Sequence, residues 1–187
     1  MCRFIRSVEL SASFAVCVLF APGCGAEKVA APKAYKTFAS KDGSFTCKYP
    51  EGWEAEGGSG RGDFAWAKFR KGPVEIKVTA DFAGSLVADI AKAGQSQSGS
   101  NRPEDQPVAV VHERKKKGMN DDFTNYREKA PRVANTGLGE ARTSEFTASG
   151  SFGTKIRGYR ATALTNDKSV MIVCQCPNTD WKRLRPA

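Results

Sequence analysis

Short segments in which apolar and polar residues alternate are the strongest structural signal in this chain. The pattern is plain from Val74 to Ala80, where Val74, Ile76 and Val78 fall on one side and polar residues fall on the other. Successive side chains of a strand point to opposite faces of its sheet, so this spacing buries one face and leaves the other polar. The sequence therefore predicts a sheet with a half-buried strand at this position.

The same period of two recurs elsewhere, and turn residues close each segment. Further strands are predicted over Phe45–Tyr49, Phe64–Phe69, Glu140–Ala148, Thr154–Leu164 and Ser169–Cys176. Lys71-Gly72-Pro73 is a predicted turn that joins Phe64–Phe69 and Val74–Ala80 into a hairpin. Tight turns predict an antiparallel meander for the three strands from Glu140 to Cys176. The glycine-rich stretch Gly57–Gly62 is interpreted as a flexible connection.

Two stretches have helical periodicity instead. Ser85–Ala93 is predicted as a helix because its apolar residues are spaced four and three apart. Pro107–Lys129 is predicted as a second helix, with Pro107 in its first turn and one apolar stripe formed by Val111, Met119, Phe123 and Tyr126. The polar stretch Gly94–Gln106 is interpreted as a loop between them. Together these elements predict an α+β fold.

The amino-terminal segment has the order of a secretory signal. Arg3 and Arg6 form a positive region, Leu10–Phe20 is apolar, and small residues follow. The apolar run is short for a membrane span, which needs about 20 apolar residues. We therefore expect residues 1–23 to be a signal peptide and the protein to be exported.

Gly23-Cys24 resembles the lipobox of bacterial lipoproteins, in which the cysteine becomes the lipidated first residue of the mature protein. Pro22 departs from the usual pattern. The resemblance implies lipidation at Cys24 and a membrane partner, with residues 24–37 as a tether and 38–187 as the folded domain. Ordinary cleavage after Ala26, giving a secreted or periplasmic protein, and an uncleaved anchor remain alternatives.

The sequence Phe45-Thr46-Cys47-Lys48-Tyr49-Pro50-Glu51-Gly52-Trp53 resembles the opening F-x-x-x-Y-P-x-G-W hairpin of PsbP-like domains. The later segments Tyr159–Thr162 and Val170–Cys174 resemble the closing strands of that family. The resemblance implies an antiparallel sheet between helices, an α/β/α sandwich, over most of Phe38–Trp181. It also implies a non-enzymatic binding or accessory protein, and a final helix beyond Trp181, although this chain ends at Ala187.

Residues that could support catalysis or bind a metal are few. His112 is the single histidine and lies outside any nucleophile motif, so we expect a surface or helix-packing role and no catalytic site. Cys174 and Cys176 share one side of a strand, but their spacing is too short for a typical zinc site, and we expect neither metal nor cofactor. A disulfide of Cys47 with Cys174 or Cys176 and buried free thiols are both open alternatives.

A formal net charge of +9 favours anionic partners. The densest basic run comprises Arg114, Lys115, Lys116 and Lys117. Our preferred interpretation of this run is a solvated helix face, and the alternative is an anion-binding site for acidic lipid or polysaccharide. Nucleic acid is not an expected partner of an exported protein. The predicted function is therefore a monomeric, non-enzymatic binding or accessory protein of the cell envelope that contacts an unidentified protein or anionic partner.

Overall fold

The structure is a computed structural model that describes residues 29–41, 43, 45–60, 64–82, 104, 106–165 and 168–185. The predicted signal peptide, Cys24, the helix predicted over Ser85–Ala93 and most of the predicted loop Gly94–Gln106 lie outside the described residues. The structure therefore does not test those predictions.

Antiparallel strands make up most of the described chain. They are β1 (Tyr35–Ala39), β2 (Thr46–Pro50), β3 (Glu54–Ser59), β4 (Ala65–Lys71), β5 (Val74–Phe82), β6 (Thr124–Glu128), β7 (Arg132–Thr136), β8 (Gly139–Ser149), β9 (Lys155–Leu164) and β10 (Lys168–Pro177). Helix α1 spans Pro107–Asp122 and the one-turn helix α2 spans Trp181–Leu184. A 3-10 turn over Ser151–Gly153 joins β8 to β9.

The strands form one large sheet and one small one. The large sheet has eight strands in the order β3-β4-β5-β10-β9-β8-β6, and β7 also pairs with β8. β1 and β2 form a separate two-stranded hairpin. The predicted hairpin β4–β5 and the predicted meander β8–β9–β10 are both confirmed, because alternation and tight turns together fix antiparallel neighbours.

Each face of the large sheet has a different cover. Helix α1 packs on β8, β9 and β6, where Met119 joins a buried cluster with Phe146 and Val173. On the other face lies the β1–β2 hairpin, whose Tyr49 ring stacks on Phe69 with centroids 4.6 Å apart. The family resemblance implied a sandwich with helices on both faces of the sheet. Among the described residues, the second face is instead covered by a hairpin and the short α2.

The second predicted helix ends earlier than expected. α1 stops at Asp122, and Phe123 is already extended, with φ −134° and ψ 135°. Tyr126 lies on β6, and its ring packs 5.2 Å from that of Phe146 on β8. The apolar residues of the predicted stripe do meet in one buried cluster, but Tyr126 joins the Met119 and Phe146 cluster from a strand and not from the helix. Pairing with β8 satisfies backbone groups that a longer helix would have satisfied internally.

Two segments predicted to be irregular are part of the fold. Gly57, in the predicted flexible connection, lies on β3, where its missing side chain admits the Phe38 ring; an added Cβ would lie 2.5 Å from that ring. The predicted tether is also partly folded. β1 begins at Tyr35, and Val29 is 1% exposed in a cluster with Trp181.

Candidate functional site

A buried ion pair lies between the sheet and α1. Nε and Nη2 of Arg160 donate to the two carboxylate oxygens of Glu128 at 2.9 and 3.0 Å. The third donor group, Nη1, bonds the backbone carbonyl of His112 at 2.7 Å. Burial alone would raise the pKa of Glu128, but hydrogen bonds from His112, Arg160 and Ser144 lower it to about 2. Glu128 is therefore an ionised carboxylate at neutral pH.

His112 is the centre of the same polar cluster. Its Nδ1 lies 2.9 Å from the Thr162 hydroxyl and its Nε2 lies 2.7 Å from the Ser144 hydroxyl. The Ser144 hydroxyl donates to Glu128, since an ionised carboxylate only accepts. The Nε2 proton of His112 therefore donates to the Ser144 oxygen. The contact with Thr162 holds α1 to β9, and the contact with Ser144 holds α1 to β8.

This cluster contains a serine, a histidine and a glutamate, but its geometry is not that of a nucleophilic triad. In such triads the serine and the acid sit at opposite ring nitrogens, and the histidine accepts the serine proton. Here Ser144 and Glu128 both meet Nε2, and the serine proton is directed to the carboxylate. His112 is 0% exposed and Ser144 is 3% exposed, so both side chains are enclosed between α1 and the sheet. The arrangement anchors a helix.

A recess of about 250 Å³ opens on the other face of the sheet, where β5 begins and β10 ends. Its walls are mainly apolar and aromatic, with Trp53 and Leu184 among them. The Tyr159 and Trp181 rings lie 4.9 Å apart at one side. Apolar, concave surfaces with few polar groups are typical of small-molecule sites.

Two arginines lie at the recess. The guanidinium of Arg157 lies over the Trp181 ring, 4.9 Å from its centroid, and Nη2 pairs with Glu145. Its Nε is buried and has no hydrogen-bond partner among the described residues. Arg185, just after α2, donates from Nε to the Tyr159 hydroxyl at 3.3 Å. A buried, unpaired donor is costly, so this site retains unused hydrogen-bonding capacity.

The charge of the recess lining is positive. Lys48 joins the two arginines, and Glu75 is the acidic residue of the lining. Both oxygens of Glu75 are engaged: Arg70 donates to one at 2.7 Å and Gln175 donates to the other at 3.3 Å. The recess therefore favours an anion over a cation.

The three described cysteines are free thiols. Cys174 and Cys176 both line the recess, on the same side of β10 as predicted from their spacing, and Cys47 packs beside Phe69 under the hairpin. Burial raises the pKa of Cys174 to about 11 and also raises that of Cys176. The structure thus has the free-thiol alternative and not the disulfide.

The basic run Arg114–Lys117 is divided around α1. Lys115 pairs with Asp81 on β5 and is partly buried. Lys116 pairs with Glu113 at 3.6 Å on the same helix, which leaves the two outer residues of the run exposed. Successive helical residues point in different directions, so four adjacent cations do not form one patch.

The residues of the recess were not singled out from the sequence, apart from the two cysteines. Trp53 and Trp181 were named only through the family resemblance, and Arg185 was not named. Their lining role depends on four segments far apart in sequence meeting at one end of the sheet. The one available signal was the aromatic content near a basic carboxyl terminus.

Comparisons with known proteins support the fold. No protein-family model matches the chain, and no curated protein matches it. The solution structure of cyanobacterial PsbP (CyanoP) from Synechocystis sp. PCC 6803 matches with a TM-score of 0.54 and 14% identity, covering 87% of this chain and 90% of that chain. PA94 of Pseudomonas aeruginosa, a protein of unknown function, has a TM-score of 0.42 and 10% identity, covering 81% of this chain and 89% of that one. The likeness to CyanoP confirms a PsbP-like fold.

Among the described residues, no helix combines the length and the apolar character needed to cross a membrane. Within the same residues, no cluster of histidine, cysteine and acidic side chains could hold a metal ion.

Proposed function

We propose that this protein is an exported, lipid-anchored binding or accessory module of the cell envelope that carries a small ligand and has no catalytic activity of its own. The first 23 residues would direct export, and Cys24 would carry the lipid. The observation that carries the binding role is the contrast between the two faces of the sheet. On one face the acid–base groups are closed from solvent and bonded to each other. On the other face an open recess has aromatic walls, and Nε of its Arg157 has no hydrogen-bond partner among the described residues.

The recess supports binding without turnover because its lining suits recognition and not reaction. Its thiols are held in the protonated form by their raised pKa values, and the thiolate is the reactive species. Its carboxylate, Glu75, is bonded to Arg70 and Gln175. Its cationic side chains are Lys48, Arg157 and Arg185, which favour an anion.

A recess-filling variant tests the binding role. The protein would be purified from the envelope of its native host and examined by native mass spectrometry for a carried small molecule. Leu184→Trp places an indole in the recess and is expected to lose the carried mass. Leu138→Trp is the matched control, since Leu138 is 50% exposed away from the recess. Equal loads in both variants, or an empty wild type, would contradict the proposal.

The same preparation tests export and anchoring. Mass spectrometry of the mature amino terminus should find a diacylated Cys24. A free amine at Glu27 would instead establish cleavage after Ala26 and remove the anchor. Retention of Met1 in the envelope fraction would establish the uncleaved anchor, and an intact chain dissolved in the cytosol would remove export altogether.

The basic-surface alternative is a module that binds acidic lipid or polysaccharide through Arg114–Lys117. Its support is the net charge of +9. The pairing of Lys115 and Lys116 with acidic neighbours counts against it. Binding through that run should weaken steeply as salt rises, because its outer residues Arg114 and Lys117 are exposed and their charges are screened.

A further inference from the structure

We infer that the recess takes an anionic amphiphile: a small organic acid whose apolar body lies between Trp53, Trp181 and Leu184 and whose carboxylate meets Arg185. This inference rests on the proposed function, because it names the class of ligand for that same site. The shape, the lining and the distribution of charge each restrict the ligand.

The size of the recess excludes large ligands. About 250 Å³ corresponds to roughly eight water molecules at ~30 Å³ each, below the usual range for drug-sized ligands. A medium-length acyl chain or a single aromatic ring fills such a space. Aromatic and aliphatic walls stabilise an apolar body by removing its surface from water.

Arg185 lies where the recess meets a second, smaller hollow of about 110 Å³. Tyr159 and Arg185 line both spaces, and the smaller hollow adds Lys129 and Arg132. Its carboxylate, Glu145, already pairs with Arg157 and with Lys129. The apolar end and the cationic end of the combined site therefore meet at Tyr159 and Arg185.

The guanidinium of Arg185 is available to an anion. It makes one hydrogen bond, to the neutral Tyr159 hydroxyl, and no described residue forms an ion pair with it. A guanidinium offers donors that match the two oxygens of a carboxylate, which gives geometric preference as well as charge. The buried Nε of Arg157 provides a second unpaired donor at the recess wall.

The test compares three probes of equal length: octanoate, octanol and octylammonium. Binding to the full mature protein would be followed by calorimetry and by tryptophan fluorescence. Octanoate should bind at least tenfold more tightly than octanol, and octylammonium should bind more weakly than octanol. Arg185→Gln should weaken octanoate binding about five- to tenfold and leave octanol binding unchanged.

Lys182→Gln is the matched control, because it removes one exposed positive charge from α2, the helix that Arg185 follows, without touching the recess. It should leave octanoate binding unchanged. Equal losses in the two variants, or octanoate binding no tighter than octanol, would overturn the anionic assignment while leaving a binding recess in place. If none of the probes binds and the Leu184→Trp variant carries the same native load as wild type, the proposed function fails as well.

Discussion

Arg160 and Glu128 form a two-hydrogen-bond ion pair in which neither side chain is more than 2% exposed. The two residues come from β9 and β6, which lie on opposite sides of β8 in the sheet. Removing two charges from water is costly, and a hydrogen bond from each of the three guanidinium nitrogens offsets that cost. The pair and its neighbours fix α1 against the sheet.

Replacing Glu128 by Gln should destabilise the protein by about 3–5 kcal/mol at pH 7, since it leaves the Arg160 charge buried without its partner. The folded-state pKa of Glu128, about 2, is below its ordinary value of 4.5. The carboxylate's contribution is therefore complete above about pH 4.5, declines as the pH falls between these values, and is lost below about pH 2.

Urea unfolding of wild type and Glu128→Gln at a series of pH values measures this effect. The difference in unfolding free energy should shrink from pH 5 to pH 2. Taking the difference removes the contribution of other carboxylates, including Glu145, whose pKa is also lowered. A difference that is constant over this range would contradict the assigned ion pair.

Gly158 should not accept a side chain. An added Cβ would lie 2.2 Å from the Cys174 carbonyl oxygen and 2.5 Å from the Phe146 ring. Gly158→Ala should therefore cost about 1–3 kcal/mol through overpacking. Gly118→Ala, on the exposed side of α1 with open space around it, should instead stabilise by about 0.5–1 kcal/mol. Thermal denaturation of both variants checks the signs, and two shifts in the same direction would count against this packing.

The cysteine thiols should be slow to react in the folded protein. With the pKa of Cys174 at about 11, roughly one molecule in a thousand carries its thiolate at pH 8. Alkylation by iodoacetamide, followed by peptide mapping, should label Cys174 and Cys176 slowly in buffer and rapidly in urea. A peptide from unreduced protein that links Cys47 to either of them would refute the free-thiol arrangement.

Val29 should contribute to stability although it precedes the first strand. Its side chain is 1% exposed and packs with Val74, Cys176 and Trp181, so Val29→Ala should cost about 2 kcal/mol. Val133→Ala on β7 is the control, because Val133 is 54% exposed and should be nearly neutral. Equal stabilities of the two variants, measured in urea, would mean that the folded unit does not extend to Val29.

The strands that the sequence predicted are those whose two faces carry different kinds of side chain, apolar on one face and polar on the other. β2 and β4 alternate apolar and polar residues because one face is covered and the other is more exposed. In β9 the pattern has another cause, since its polar residues Arg160 and Thr162 are 0% exposed beneath α1, where they are hydrogen-bonded to Glu128 and His112. β1 and β3 were missed because short, polar or glycine-rich strands carry little alternation. β6 was taken for helix because Phe123 and Tyr126 reach the Phe146 cluster at a spacing that a helix would also produce.

The candidate sites were harder to predict for a different reason. Arg160 and Glu128 are 32 residues apart, and the recess gathers residues from Pro32 to Arg185. Local periodicity carries no information on which distant segments meet. His112 packs between the helix and the sheet, one of the two roles expected of it, but its burial depended on Thr162 and Ser144, whose hydroxyls nothing in the sequence linked to a histidine.

The most direct measurement of the central claim is the response of the three tryptophan indole N–H signals in a ¹H–¹⁵N spectrum on titration with octanoate. Trp53 and Trp181 line the recess, whereas Trp66 lies on β4 outside it and serves as an internal control. We predict saturable shifts of the Trp53 and Trp181 signals with Trp66 unmoved. Unchanged Trp53 and Trp181 signals at saturating octanoate, or a shift confined to Trp66, would contradict the assignment of the recess as the binding site.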